Sequence, residues 1–487
     1  MSKKITIGLL LLFLSSQIAI TAQTATAQIQ APTTPTGKTI CPTQLKSEVE
    51  TITNSPEFSR VRWGILIKNL ANEQTLYDRD AEKYFNPASN TKLLITAAAL
   101  QELGVNFRIR TSVYQDGEGV LRVFGRGDPS LKIPHLQKLA QQLRQQGITQ
   151  VNQLIADDSY FQGDIVNPSW EWEDLAADYG APVSSLIVNE NASVFQVWPQ
   201  TIGKPLQLKW NEPGDAFVWR VENNSVTTQK NESGLLRVSR SLQGPVLHIQ
   251  GQMAVNSTPN IRAIAVFNPV EHFLRHFRQT LVKEGISVQD ISHGTGSQNQ
   301  KELAAVESPP LSELLIETNV NSNNLYAEAL LRALAIKQPG ENHQTTADAG
   351  LAVVKNSLTQ LGVDPSGYIL VDASGLSRKN LISPQALVQT LQAMDKSPLA
   401  KIFRDSLPVA GVSGTLRNRL RDTPAVGIVQ AKTGTMTGVV SLSGYVNSRN
   451  YQPLAFSIIV NHYEQPARVV RQSVDEIVLL LTQLQPC

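Results

Sequence analysis

Asn86-Pro87-Ala88-Ser89-Asn90-Thr91-Lys92 runs directly into Leu93-Leu94-Ile95-Thr96-Ala97-Ala98-Ala99-Leu100, and the reading of this chain turns on that stretch. The alanines and leucines are strong helix formers, so a helix is predicted from Asn90 to about Leu103. Ser89 then has its backbone amide at the positive end of the helix dipole, where developing negative charge is favoured. Lys92 follows one turn later on the same face, within reach of the Ser89 oxygen. Burial would depress its pKa and let its amine accept a proton. Taken alone, Ser-x-x-Lys reads equally well as a capping serine beside a solvated lysine.

Two further triplets change that balance. Lys432-Thr433-Gly434 sits between the strand-like Ile428-Val429-Gln430 and Gly438 to Leu442. On an edge strand it would offer an extended peptide a cation for its carboxylate, a hydroxyl donor and closely approaching backbone. The alternative is a tight turn with an exposed lysine. Ser322-Asn323-Asn324 stands at the head of a helix containing Tyr326, Leu330 and Leu331. Its hydroxyl and amide could both point into a cleft, although alone Ser-x-Asn is mostly a helix cap.

The order Ser-x-x-Lys, Ser-x-Asn, Lys-Thr-Gly is the signature of the serine acyl-transferases that include penicillin-binding proteins and β-lactamases. Ser89 and Ser322 lie 233 residues apart, more than a β-lactamase core needs. The chain therefore resembles the D-alanyl-D-alanine carboxypeptidases/endopeptidases of the class C, low-molecular-mass penicillin-binding proteins, which carry a large insertion at that point. Gly125-Arg126-Gly127-Asp128-Pro129-Ser130-Leu131, Ala181 to Leu186, Asp372-Ala373-Ser374-Gly375-Leu376-Ser377-Arg378 and Leu407 to Gly411 are similar to the family too. Arg126 departs from it, standing where a glycine is common.

The resemblance implies an α/β (α+β) fold: a penicillin-binding-protein/β-lactamase-like catalytic domain, an antiparallel sheet flanked by helices, with two smaller inserted domains. Residues 38–103 plus 296–487 would form the catalytic domain, 104–197 plus 262–295 the first inserted domain, and 198–261 a nested β-rich domain. Ser89 would be the nucleophile and Lys92 its base. Ser322 and Asn324 would relay a proton and hold the substrate amide. Lys432, Thr433 and Gly434 would line the carboxylate site, with the amides of Ser89 and Thr435 as oxyanion hole. Asp174, in Trp170-Glu171-Trp172-Glu173-Asp174, would bind an ammonium on the stem peptide, or else belong to a surface loop with a buried aromatic. Arg378 would support the carboxylate site or pair with an acid in a loop. The implied substrates are peptidoglycan stem peptides, with β-lactams as covalent inhibitors and no metal or organic cofactor. The seven histidines are read as lacking paired ligand spacing. Two rival readings stay open. One is a β-lactamase; the other is a non-catalytic peptidoglycan-binding or penicillin-sensing protein.

Texture along the chain fits this plan. Arg62 to Lys68 and Gln74 to Tyr77 read as paired strands, and Leu136 to Gln146, Val270 to Glu284, Leu311 to Leu334 and Ala347 to Leu361 read as helices. Short alternating runs such as Leu206 to Trp210 and Leu247 to Gln250 predict the small β module. Gly438 to Asn447 and Leu454 to Asn461 read as a strand pair, followed by a terminal helix from about Ser473 to Leu484.

Residues 1–28 read as a secretory leader: Lys3 and Lys4, then the apolar Ile5 to Leu14, then the small-x-small Ala25-Thr26-Ala27. That run is too short to span a bilayer, so an exported, periplasmic or cell-envelope protein without a transmembrane anchor is expected. Losing the leader takes the formal charge from +2 to about 0, with 43 basic residues nearly balancing 41 acidic ones. Near-neutrality argues against nucleic acid as a partner and against a polybasic membrane anchor. With 41% apolar and 17% charged residues, the 487-residue chain has the composition to build a packed core. Two cysteines, Cys41 and Cys487, are too few for a disulfide-built scaffold; an oxidising compartment would permit a bond between them, and two free thiols fit the sequence equally.

Overall fold

A computed structural model describes residues 39–232, 234–296, 300–336 and 345–487. The leader expected at 1–28 lies outside these residues.

Strands Val439–Val446 and Leu454–Asn461 are buried along their whole length, because both faces of their sheet are covered. They occupy the middle of a five-stranded antiparallel sheet ordered Val429–Met436, Val439–Val446, Leu454–Asn461, Arg62–Asn69, Thr75–Arg79. Side chains alternate between the faces. Ile65 and Ile67 face a core formed with helices Pro42–Thr53 and Ala467–Thr482. Leu66 and Ile459 face the other core, around helix Thr91–Leu103. That helix is buried around its whole circumference from Thr91 to Leu100, and Leu93, Leu94, Ile95 and Ala97 to Ala99 are fully enclosed. Its neighbours include Leu311–Asn319, Asn324–Ala335, Thr346–Gln360 and Pro384–Lys396.

The two ends of the described chain meet. Ile40 NH donates to the Gln483 carbonyl and Gln485 NH to that of Ile40, beside a Cys41–Cys487 disulfide whose Cα atoms are 5.7 Å apart. Of the two states open from the sequence, the bond is the one formed.

A second five-stranded sheet, ordered Ser287–His293, Gln150–Asp157, Val120–Phe124, Arg110–Gly117, Glu302–Glu307, packs with helices Ile133–Gln145 and Pro269–Lys283. Two three-stranded sheets follow, Arg220–Thr228/Val246–Ala254/Leu236–Arg240 and Asn260–Ala265/Ala192–Trp198/Gln207–Trp210. They enclose a small core around Phe195, Trp210, Trp219, Leu247 and Ile249.

Several expectations shift. Ala192–Trp198 and Asn260–Ala265 pair with each other and contribute to the β-rich core, so they cross the breaks expected at 197/198 and 261/262. Glu302–Glu307 pairs with Arg110–Gly117 rather than with the first sheet. The helical pattern 311–334 is broken between Asn319 and Asn324, where Ser322 adopts a left-handed backbone, φ 59°. The terminal helix starts earlier, at Ala467. The histidines do contain a ligand-spaced pair: His272 and His276 lie one turn apart on helix Pro269–Lys283, beside Asp215. Their third neighbour comes from a turn distant in sequence, so the sequence spacing marks the pair but not the cluster.

Candidate active site

Ser89 lies on a single 3-10 turn, Ala88–Asn90, one step before the helix predicted to begin at Asn90. The chain reaches it through Ala88, held at φ 47°. Such a backbone persists only where its surroundings fix it. Here Ala88 NH donates to Asn86 Oδ1 (3.1 Å), Thr91 Oγ1 donates to the Ala88 carbonyl (2.9 Å), and Ser441 Oγ donates to the Pro87 carbonyl (2.7 Å). Two glycines let other backbone close on the serine. A Cβ on Gly375 would stand 3.0 Å from Ser89 N and 1.9 Å from the Ala88 oxygen. One on Gly434 would meet Ser441 Oγ at 2.2 Å and Ser89 N at 3.0 Å.

Lys92 is fully buried, and its Nζ donates to Ser89 Oγ (2.9 Å), to Asn324 Oδ1 (2.7 Å) and to the Ser374 carbonyl. Burial lowers its pKa to about 7 against the opposing pull of Asp372 and Glu328. The solvated-lysine alternative is therefore excluded by the packing.

Ser322 sits in the break between two helices, and Asn323 caps the second by accepting from Tyr326 NH (3.2 Å). Asn324, first residue of that helix, accepts from Lys92 and donates through Nδ2 to the Tyr179 carbonyl (2.9 Å). Lys432 arrives from the edge strand Val429–Met436, fully buried, and donates to Ser322 Oγ (2.8 Å) and the Thr433 carbonyl (2.9 Å). Burial, then the charge of Lys92, hold its pKa well below the usual lysine value. Thr433 Oγ1 donates to Thr415 Oγ1 (2.8 Å), and exposed Thr435 pairs in register with Val440. Ser89, Lys92, Ser322, Asn324, Lys432 and Thr433 thus meet in one place, with Gly434 as the close approach.

Asp174 stands one contact further out. Its Oδ1 accepts from the Tyr179 hydroxyl (3.1 Å), while Oδ2 is buried without a partner, and burial raises its pKa. Trp170 turns inward to donate to Asp372 Oδ2 (2.9 Å), and Trp172 is 65% exposed. Arg378 takes the second of its two expected places, pairing with Glu171 (2.8 Å) and donating to the Thr437 carbonyl (3.0 Å).

Sequence reasoning gave no role to the shell beneath Lys92. Buried Asp372 accepts from the Gly375 and Ser377 amides (2.8 and 2.7 Å) and from Asn380 Nδ2 (2.6 Å), fixing the loop whose Ser374 carbonyl holds Lys92. Buried Glu328 accepts from the Ala373 and Ser374 amides (2.8 and 3.0 Å) and from Arg332 (3.1 Å). The one available signal was Glu328 itself, an acid inside the apolar run Leu325 to Leu331. Asn90 ties the helix head to the edge strand, donating to the Lys432 carbonyl (2.7 Å) once its amide is oriented to satisfy both ends.

A serine held by a buried lysine at the head of an apolar helix, faced by a second serine and a second buried lysine from an edge strand, defines a serine acyl-transferase of the penicillin-binding type. Comparison with known proteins narrows this. The chain belongs to the D-Ala-D-Ala carboxypeptidase 3 (S13) family, whose profile matches residues 45–484, and is a serine-type hydrolase of that family. It is 32% identical over 453 residues to a D-alanyl-D-alanine carboxypeptidase of Actinomadura sp., covering 88% of this chain and 83% of that protein. It is 31% identical over 432 residues to penicillin-sensitive carboxypeptidase A of Dictyostelium discoideum, covering 82% of each. Its fold is similar to that of penicillin binding protein 4 from Haemophilus influenzae, with TM-score 0.76 at 24% identity, over 89% of this chain and 98% of that one. Among the described residues no helix is long and apolar enough to cross a membrane.

Proposed function

We propose that the protein cleaves the D-Ala-D-Ala bond of peptidoglycan stem peptides through an acyl-enzyme on Ser89, as carboxypeptidase, DD-endopeptidase or both. The observation that carries this is the 2.9 Å contact from enclosed Lys92 Nζ to Ser89 Oγ. Neutral Lys92 takes the Ser89 proton as Oγ bonds to the penultimate carbonyl carbon. The amides of Ser89 and Thr435 receive the developing oxyanion, each worth on the order of 3 kcal/mol. The peptide C–N bond then breaks. Its nitrogen collects a proton through Ser322, whose hydroxyl is bonded to Lys432, and leaves as D-alanine or as the amine of a cross-link. Water repeats the sequence on the ester and frees Ser89. Thr433 and Lys432 bind the terminal carboxylate, Asn324 holds the substrate amide, and Asp174, with its free Oδ2, takes an ammonium of the stem peptide. β-Lactams enter as covalent inhibitors by the same first step.

The leader sequence and the Cys41–Cys487 bond support an exported protein working in the periplasm or cell envelope. The two cores flanking the first sheet, the core of the second sheet and the small β-rich core support a catalytic part carrying two nested insertions, with the β-rich part widened to about 192–265. Intact mass after incubation with a penicillin tests the reading. One adduct per chain, mapped to the Ser89 peptide and absent from Ser89→Ala, is expected. No adduct on any timescale would overturn it, and a brief adduct with fast loss of penicillin would make the protein a β-lactamase.

A further inference from the structure

Apart from the residues gathered around Ser89, three buried ligand-type side chains converge from the β-rich part and the helix beside it. Asp215 lies on the short turn Pro213–Phe217 of the β-rich part. His272 and His276 share one face of helix Pro269–Lys283, which packs with the second five-stranded sheet. All three are at most 2% exposed. His276 Nε2 is 3.4 Å and His272 Nδ1 3.8 Å from the same oxygen, Asp215 Oδ1. His276 Nε2 makes no hydrogen bond, which is costly for a buried polar atom.

We propose that Asp215 Oδ1, His272 Nδ1 and His276 Nε2 are a binding site for a zinc-like divalent transition-metal ion, with the Arg275 guanidinium as the cation that fills the seat in the metal-free protein. Bonds of about 2.0–2.2 Å to a tetrahedral ion set its ligands about 3.3–3.6 Å apart; Asp215 Oδ1 stands 3.4 and 3.8 Å from the two imidazole nitrogens, and all three atoms lie within 4.8 Å of one another. Two imidazoles and one carboxylate suit zinc, nickel or copper rather than calcium or magnesium, which take oxygen. Arg275 Nη2 donates to Asp215 Oδ1 (3.1 Å) and to His272 Nδ1 (2.9 Å), so one positive group already bridges two of the three ligand atoms. Its side chain is 21% exposed, whereas the ligands are enclosed, so Arg275 can swing toward solvent while they stay in place. Asp215 also lines a cleft of about 430 Å³ whose other wall carries Ser322 and Asn324, so one ligand of the three borders open space. None of the three ligands touches Ser89 or Lys92. The consequence is a clasp between the β-rich part and the helix, tightening the fold by mass action.

Cobalt(II) titration of the untagged protein, read by visible d–d absorption, tests this together with zinc retained after equilibrium dialysis. One equivalent of zinc and a tetrahedral cobalt band are expected in the wild type, and both are lost in His272→Gln/His276→Gln. Arg275→Ala should bind at least about tenfold more tightly, because a competing positive charge is gone. Circular dichroism of each variant checks folding. Should the histidine double variant fail to fold, the wild-type cobalt spectrum and the sign of the Arg275→Ala effect still decide. No metal retained by either wild type or Arg275→Ala would overturn the proposal. So would equal retention by a folded double variant, which would place the ion elsewhere, such as at exposed His293 and Asp158.

Discussion

At Lys92 the balance between burial and two acids sets the working pH. Below about pH 7 the amine is protonated; above it a neutral amine faces Ser89, as the proposed mechanism requires of its base. The acylation rate by a penicillin should therefore rise with pH through an inflection near 7. Asp372 pulls the Lys92 pKa upward, so Asp372→Asn should move that inflection to lower pH, whatever happens to the plateau as its loop loosens. An unmoved inflection would mean that Asp372 acts through the loop alone. Gly434 carries a different residue-scale expectation. Its missing Cβ keeps the strand against Ser89 N and Ser441 Oγ. Gly434→Ala should slow acylation by on the order of 100-fold or more, the cost of misplacing an oxyanion donor, and the buried clash should also lower urea-unfolding stability by about 1–3 kcal/mol.

Among the elements, helix Thr91–Leu103 matters most, because Lys92 rides on it, Ser89 stands on the turn at its head, and it is buried from Thr91 to Leu100. Truncating Leu94, fully buried, removes methyl groups that the packed neighbours cannot replace. Leu94→Ala should cost about 2–5 kcal/mol in urea unfolding, and a smaller loss would show that the site relaxes. The break at Ser322 makes the complementary point. The apolar periodicity from Leu311 to Leu334 continues across it, so sequence alone predicted one helix. The break belongs to tertiary packing: Thr415 NH donates to the Val320 carbonyl, and Lys432 holds the Ser322 hydroxyl. Ser322 gains its position from the loop and strand that meet it, both far along the chain.

For the whole molecule, the Cys41–Cys487 bond closes a loop of 446 residues around the sheet. It restrains the unfolded chain more than the folded one. Cys41→Ser/Cys487→Ser should lower unfolding stability by about 2–5 kcal/mol in urea. Penicillin acylation should persist, since the terminal helices pack against the sheet face opposite the Ser89 helix.

The sequence by itself determined the three motif triplets and their order, the two long apolar strands, the long span between Ser89 and Ser322, and the β texture inside it. Each of these is a local pattern: a spacing, an alternation, or an order along the chain. Tertiary structure alone decided which lysine lost its solvent, that Glu328 and Asp372 lie beneath it, that Asp174 stands a residue away from the reacting groups, and that Asp215 meets His272 and His276. Those outcomes depend on burial and on contacts between residues tens to hundreds of positions apart, and no periodicity within a segment encodes them.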